Sequence, residues 1–427
     1  MKEVKEMKKM RKAVAACLGM TMLFTTAFGT TAAMASETEA EISGSVELWN
    51  DKLATEDPTV VDAIAQGATD ASGIQVSINS YPDVAAYQTA LQQSIREPEA
   101  PGMFTWWSGS QLETLVDNGV IEDLTDIWNE YIIPAGVPES VAEAFTFDGK
   151  IYAAPYCALY TTVIYNMDCF EQAGITETPE TFDEFLDACD KLVAAGITPI
   201  GLKNDSWASF IWFQQLLGAY NPQLYADICS GAKPYTDPEV KEVMQIWKDM
   251  FDKGYFGEPV TVQDVRRNIA TGVTAMTLEV NSEVPILNRD YGMVSEENVS
   301  SFAFPSMNDG PKIIFYEASP ICVASASADK GSALKVLETW YGEEVQTVFT
   351  DSLGMANTSK ITAEDPTVTK IVGFTEDTEN YQLMLRYYEN TPEDLRNYAI
   401  DELSRFMYSG ADIDELKLPT PIRCVEP

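Results

Sequence analysis

The chain has 427 residues and no histidine, and its 66 acidic against 28 basic side chains give a formal net charge of −38. The lack of histidine excludes Ser-His-Asp catalysis, histidine-ligated zinc and histidine-based pH switches. The negative charge excludes functions that follow nucleic-acid phosphates and disfavours anionic lipid as a partner. A chain of this length can bury two separate cores.

The N-terminus has the pattern of a secretory signal peptide. Six basic residues lie between positions 2 and 12, and an uncharged stretch then runs to Ala33-Met34-Ala35. We therefore predict a signal peptide over residues 1–35, cleaved after Ala35, and a secreted protein at the extracellular face of the cytoplasmic membrane. Cys17 lies in a weak lipoprotein-like box, which leaves lipid anchoring as an alternative.

Strand and helix patterns alternate along the rest of the chain, which predicts an α/β fold. Asp57-Pro58 predicts a capped helix that ends near Gly73, followed by a strand over 74–78. Helices are also predicted over 87–95 and 110–118. The capping box that begins at Thr181 opens another helix, predicted over 182–196. Further helices are predicted over 238–254, 333–341 and 392–408.

Two tryptophan clusters follow predicted strands directly. Trp49-Asn50-Asp51-Lys52 ends the first strand, and Trp106-Trp107-Ser108 ends a later one. Ligands of open α/β sheets gather at the carboxyl ends of the strands. An indole covers the C–H face of a sugar ring, while short polar side chains bind its hydroxyls. These clusters therefore favour a sugar site, although a lone tryptophan in such a place is more often part of a core.

The cysteines give no sign of a metal or redox site, because no pair has the C-x-x-C spacing. We expect mostly free thiols, with at most one disulfide, whose pairing the sequence does not determine. We also expect no cofactor, no metal ligands and no catalytic residues. The six cysteines beyond the signal peptide are Cys157, Cys169, Cys189, Cys229, Cys322 and Cys424.

Six segments resemble, in order, the carbohydrate-binding solute-binding proteins of bacterial ABC importers, the family 1 group that includes maltose-binding proteins. The resemblance covers nearly all of the chain after the signal peptide. The segments are Leu48-Trp49-Asn50-Asp51-Lys52, Pro101 to Leu112, Tyr152 to Tyr156 with Val163 to Asp168, Pro179 to Phe185, Ala195 to Ile200, and Gly272 to Thr277.

This resemblance implies a two-lobed periplasmic-binding-protein type II fold with three hinge crossings. By analogy the crossings lie near residues 158–162, 275–277 and 317–319. One lobe would then comprise 36–158 with 277–317, and the other 162–274 with 319–427. The resemblance also implies that the lobes close over a ligand held between them.

The resemblance further implies a binding component, not an enzyme, that captures a sugar or oligosaccharide. It would deliver this ligand to ABC permease subunits in the membrane, with an ATPase subunit acting indirectly. We expect a monomer that does not bind nucleic acid. The expected ligand-binding residues are Trp49, Asn50, Lys52, Trp106, Trp107, Ser108, Tyr156, Asn204, Trp207, Glu279, Asn281 and Glu317.

Several alternatives remain open at this point. The turn Ser108-Gly109-Ser110 and the segment Leu159-Tyr160 lack acids that the maltose-binding pattern has there, so maltose itself is in doubt. A secreted glycoside hydrolase needs only two carboxylates and no histidine. A tryptophan-rich cleft in an acidic protein is also compatible with cationic or peptide ligands. A sensory role in place of transport is a further possibility.

Overall fold

The structure, a computed structural model, describes residues 42–419 except 55, 138, 356, 358–360 and 362. The predicted signal peptide and Cys424 therefore lie outside the described residues. The strands are β1 (Ser45–Asn50), β2 (Gln75–Ser80), β3 (Met103–Thr105), β4 (Thr146–Phe147), β5 (Lys150–Ile151), β6 (Ala154–Asn166), β7 (Thr198–Ile200), β8 (Thr274–Val280), β9 (Val299–Phe302), β10 (Lys312–Val323) and β11 (Tyr381–Leu385).

The α-helices alternate with these strands as the sequence predicts. They are α1 (Pro58–Ser72), α2 (Val84–Ser94), α3 (Ser110–Asp117), α4 (Thr125–Ile127), α5 (Met167–Gln172), α6 (Phe182–Ala194), α7 (Ser206–Tyr220), α8 (Pro222–Cys229), α9 (Pro238–Asp252), α10 (Val262–Ala270), α11 (Glu283–Tyr291), α12 (Lys330–Leu337), α13 (Glu343–Leu353), α14 (Pro366–Glu376), α15 (Tyr387–Asn390) and α16 (Glu393–Ser409).

Local capping signals account for several helix boundaries. The Asp57 side chain accepts a hydrogen bond from the backbone of Thr59, and Gly73 ends α1 in the left-handed conformation. Thr181 and Glu184 form the predicted reciprocal capping box at the start of α6. The structure confirms these predicted helix boundaries. They were predictable because each cap depends on residues only a few positions apart.

The main sheet joins both halves of the molecule. Its order is β2-β1-β3-β10-β6-β8-β7, with β11 paired to β10 and β9 to β6. Strands β1, β2 and β3 are parallel, so their carboxyl ends share one edge. Strand β10 is antiparallel to both β3 and β6. The long strands β6 and β10 thus run side by side through the centre of the sheet.

The hydrophobic residues divide into a first-lobe core and a second-lobe core. The first contains buried residues from 46–157 and from 318–355. The second contains residues from 163–315 and 387–407, with a smaller adjoining cluster that includes Val368 and Ile371. The chain therefore passes between lobes along β6, along β10, and again between α13 and α14.

This division corrects the expected lobe borders. Residues 277–317 were expected in the first lobe, but Leu278, Phe302 and Phe315 are buried in the second-lobe core. Strand β8 is no crossing, because it pairs with β7 and with the second-lobe end of β6. Residues 319–355 belong instead to the first lobe, where α12 and α13 pack on α1.

The cysteines of the described chain form no disulfide. Cys157, Cys169, Cys189, Cys229 and Cys322 are buried free thiols. Among the described residues, no helix is both long and apolar enough to cross a bilayer. Nor does this part of the chain group three or more His, Cys, Asp or Glu side chains in a way that could hold a metal ion.

Candidate functional site

The turn after β1 is shaped by Asn50. Its side-chain amide donates to the Ser80 hydroxyl at 3.0 Å, and its oxygen accepts from the backbone amides of Lys52 at 3.1 Å and Leu53 at 2.9 Å. Asn50 is fully buried, so both ends of its side chain are used within the protein. The turn it forms directs Lys52 towards the central strands.

The turn after β3 holds two nearly buried indoles. The rings of Trp106 and Trp107 lie 5.0 Å apart at an interplanar angle of 70°, an edge-to-face arrangement. The Ser108 hydroxyl donates to the carbonyl of Ala318 in β10. Ser108 therefore anchors this turn to a crossing strand. The hydroxyl is used within the protein, so the two indoles are the groups of this turn that remain for a ligand.

Trp49 is half-buried beside the same edge of the sheet. Its indole nitrogen donates to Glu47 at 2.6 Å, and its ring packs against Tyr81 at 5.3 Å. Because β1 and β3 are parallel neighbours, their two tryptophan clusters emerge at one edge, as the sequence predicts.

A buried ion network links this edge to the second lobe. The Lys52 ammonium lies 3.1 Å from Glu317 on β10 and 3.3 Å from Asp51. The other oxygen of Glu317 lies 2.6 Å from the Arg386 guanidinium, which also pairs with Glu389. Hence one carboxylate on a crossing strand binds a cation from each lobe.

The charges in this network reinforce one another. Burial alone would raise the pKa of Glu317, but the cations of Arg386 and Lys52 outweigh it and lower that pKa to about 2. Burial likewise opposes the charged form of Lys52, yet Glu317 and Asp51 raise the pKa of Lys52 above its usual value. Glu317 and Lys52 are therefore ionised throughout the physiological pH range.

The second lobe contributes a separate group of side chains. The Lys203 ammonium lies 3.8 Å from the ring centroid of half-buried Trp207 and 2.6 Å from the Glu279 carboxylate. Burial raises the pKa of Glu279 to about 7 even though Lys203 favours its charged form. The ring centroid of Phe210 lies 6.3 Å from that of Trp207 and 5.9 Å from the guanidinium carbon of Arg386.

These contacts form one continuous line across the two lobes. Lys52 lies 5.6 Å from the Trp107 ring, so the first-lobe indoles connect to the ion network. Arg386 and Phe210 then connect that network to Trp207. The structure thus brings eight of the predicted site residues into or beside this line of contacts. They are Trp49, Lys52, Trp106, Trp107, Ser108, Trp207, Glu279 and Glu317.

Two other predicted residues lie apart from this line. Tyr156 is fully buried, packs against Trp340 and Phe349 in the first-lobe core, and has a hydroxyl without a hydrogen-bond partner among the described residues. Asn204 is exposed at the surface of the second lobe. Whether any predicted residue contacts a ligand remains a prediction.

Asn281 connects the central strands with the third passage between lobes. Its side-chain oxygen accepts from the Tyr160 backbone at 2.7 Å, and its amide donates to the carbonyl of Gly354. Asn281 is fully buried, so these two bonds are shielded from water. Like Asn50, it supports the backbone around the candidate site.

We expect Asn281→Ala to lower the free energy of unfolding by about 2–6 kcal/mol, because a buried unpaired polar group costs about 1–3 kcal/mol and two would be created. Asn281→Asp keeps the acceptor for Tyr160 but sets a buried carboxylate oxygen against the Gly354 carbonyl, so it is expected to lose at least as much as Asn281→Ala at pH 7. Urea unfolding of both variants checks this order. A smaller loss for Asn281→Asp would show that the bond to the Tyr160 backbone outweighs the one to Gly354.

A cavity of about 580 Å³ opens beside Trp106. Its lobe-one walls come from α2 and α3, and its opposite side is Pro392, Glu393 and Asp394 at the start of α16. Both lobes therefore line it, and its volume is typical of small-molecule sites.

Sequence reasoning missed Arg386, Glu389 and Lys203. No strand-end cluster marks Arg386, and its pairing with Glu317 spans a separation of 69 residues. An Arg-x-x-Glu pair around two tyrosines was the available signal for a buried ion pair at 386–389. Lys203 immediately precedes Asn204, which was selected, and only its position over Trp207 distinguishes it.

Two α/β lobes joined by crossing strands, with aromatic and polar side chains between them, define a two-lobed solute-binding protein. The chain belongs to the family described as bacterial extracellular solute-binding protein, whose model matches residues 55–347. A binding protein of Brucella abortus is 23% identical over 257 residues, 57% of this chain and 59% of that protein. The chain thus spans about three-fifths of the curated relatives that it matches over the longest stretch.

Other similarities point in the same direction. The diacetylchitobiose binding protein DasA of Streptomyces coelicolor is 28% identical over 162 residues, 38% of this chain and 37% of DasA. A solved chitin oligosaccharide binding protein superposes with a TM-score of 0.73 at 22% identity, over 87% of this chain and 95% of the other. RafE in complex with raffinose gives a TM-score of 0.67 at 18% identity, over 86% and 97%. These structures establish the two-lobed fold, and the relatives are binding proteins.

Proposed function

We propose that this protein captures a carbohydrate between its lobes and delivers it to the permease subunits of an ABC importer. The observation that carries the proposal is the cavity at which Trp106 of the first lobe faces Pro392–Asp394 of the second. Family membership supports the transport role. The sugars bound by DasA and RafE support the ligand class.

The arrangement supplies both kinds of contact that a sugar requires. Indoles such as Trp106 can cover the apolar faces of pyranose rings, while amides, hydroxyls and carboxylates pair with the hydroxyls. Each hydroxyl needs a partner once water is expelled, because an unpaired buried group costs about 1–3 kcal/mol. We assign ligand contact to Trp49, Trp106, Trp107 and Trp207, with Lys52, Glu279 and Glu317 as charged neighbours.

Asn50, Ser108, Asn281 and Tyr156 are assigned supporting roles instead, since the first three have their side chains bonded within the protein and Tyr156 packs in the first-lobe core. Closure over a ligand is driven only by contacts that exist in the closed state. Contacts from Trp106 in one lobe and Asp394 in the other to the same sugar would meet that condition.

A thermal-shift screen tests the proposal directly. The purified protein would be screened against monosaccharides, oligosaccharides, peptides and polyamines. We expect a rise in melting temperature with sugars only. A shift with polyamines or peptides alone would replace sugar by a cationic or peptide ligand. Consumption of the sugar during incubation would indicate a hydrolase.

Trp106→Phe is expected to weaken binding of the sugar found in that screen by about tenfold, or about 1.4 kcal/mol, because a smaller ring covers less of the sugar. Trp247→Phe is the matched control, since Trp247 is fully buried in the second-lobe core and its indole nitrogen has no partner among the described residues. Calorimetric titration would measure both affinities. Equal weakening of sugar binding in the two variants would contradict a direct contact between Trp106 and the ligand.

A further inference from the structure

The cavity beside Trp106 continues as a groove between α2 and α3. Gln88 and Gln92 line one side at a spacing of four residues, and Gln111 and Thr114 line the other. Residues four or three apart on a helix share a face, so two polar rows oppose each other across the groove. Ile95 and Leu115 add apolar surface between them.

The groove has a defined direction and a closed end. Helix α2 follows β2 and α3 follows β3, and these strands run parallel, so both helices begin at the carboxyl edge of the sheet. Trp106 and the start of α16 therefore lie at the inner end of the groove. At the outer end the Arg96 guanidinium donates to the Asn118 side chain at 3.2 Å and joins the two walls.

The polar rows keep hydrogen-bonding capacity available. The side chains of Gln88 and Gln92 form no hydrogen bond within the described residues, and the Gln111 amide nitrogen is buried there without a partner. Buried polar groups are ordinarily paired, so the lone Gln111 nitrogen calls for an explanation. Carboxamides both donate and accept, which matches them to neutral hydroxyl or acetamido groups.

The charges around the groove favour a neutral ligand. Its one lining cation, Arg96, already binds Asn118, and the second lobe presents the carboxylates of Glu393 and Asp394 at the inner end. An anionic sugar would meet these carboxylates without a free cation among the lining residues. Carboxylates are good acceptors for sugar hydroxyls.

From these observations we propose that the groove is a second sugar subsite. One ring binds at Trp106 between the lobes, and the next ring lies between the rows of Gln88/Gln92 and Gln111/Thr114. The ligand is then a neutral oligosaccharide of at least two rings, and the Arg96–Asn118 bridge limits how far it extends. This inference rests on the proposed function, because the first ring must bind between the lobes.

The test compares ligand lengths in matched variants. Calorimetry would measure binding of glucose, maltose, maltotriose, N-acetylglucosamine, diacetylchitobiose and raffinose to the wild type, to the Gln88→Ala/Gln92→Ala double variant and to Gln93→Ala. Gln93 is exposed on the same helix but does not line the groove. Alanine favours helix, so folding is expected to be retained in all variants.

We expect the wild type to bind at least one oligosaccharide ten or more times more tightly than its monosaccharide. The double variant should lose about tenfold for the oligosaccharide and less than twofold for the monosaccharide, and Gln93→Ala should change neither. Equal affinity for short and long sugars, or equal losses for both, would overturn the second subsite and leave the proposed function intact. Binding of no sugar at all would overturn both.

Discussion

Gly109→Ala is expected to force apart the two lobes where the turn after β3 meets α15. Gly109 has a φ of +67°, and a Cβ at this position would overlap the backbone carbonyl of Glu389 in the second lobe. Neither backbone segment can move as a flexible side chain would. Its ψ of −143° together with this φ lies in a region that only glycine adopts readily. We expect the unfolding free energy to fall by about 2–6 kcal/mol, from this backbone strain plus overpacking, and sugar affinity to fall at least tenfold.

Gly119→Ala measures the cost of a positive φ without a close approach to the other lobe. Gly119 has a φ of +63°, and a Cβ there meets no atom within 4 Å. It should show only the strain of about 1–2 kcal/mol and normal sugar affinity. Urea unfolding and small-angle X-ray scattering with ligand would compare the pair. If both variants close and bind alike, the approach of Gly109 to Glu389 has no role in closure.

Glu317→Gln is expected to destabilise the protein by about 3–5 kcal/mol, because it leaves Lys52 and Arg386 buried without their shared counter-ion. Glutamine keeps the volume of the side chain, so packing changes little. Glu338→Gln is the control, since Glu338 pairs with exposed Lys335 and such surface pairs contribute about 0–1 kcal/mol. Urea unfolding at pH 7 measures both variants, and equal small losses would contradict the importance assigned to the network.

The same network predicts how stability depends on pH. The pKa of Glu317 is lowered from its ordinary value of 4.5 to about 2 in the folded protein. Its stabilising contribution is therefore fully present above about pH 4.5 and is lost as the pH falls towards 2. Unfolding measured across this range should show a flatter acid slope for Glu317→Gln than for the wild type. Parallel slopes would mean that other carboxyl groups govern acid unfolding.

Features set by neighbouring residues were predictable from the sequence. The cap at Asp57 and the capping box at Thr181 operate within a few residues, and both occur where predicted. The meeting of the Trp49 and Trp106 clusters was also predictable, because parallel strands bring their carboxyl ends to one edge.

Features set by long-range pairing were not predictable in the same way. As a sequence, β8 resembles a crossing strand, and only its pairing with β7 and β6 assigns it to the second lobe. Arg386 likewise becomes part of the site only through Glu317. The opposing rows at Gln88/Gln92 and Gln111/Thr114 carried a helical spacing that could have been recognised, but their juxtaposition depends on α2 and α3 flanking β3.

The interleaving of the two cores along the chain has a consequence for folding order. The first-lobe core needs residues 318–355, and the second-lobe core needs residues up to 407. Neither lobe can complete its core from the first three hundred residues, so the first lobe cannot fold as a finished unit while the chain is still emerging. Contacts so distant in sequence make folding slow. A fragment that ends before β10 should therefore remain incompletely folded. Its exposed apolar surface would need chaperones to prevent aggregation, and this need is greatest while the chain is being synthesised.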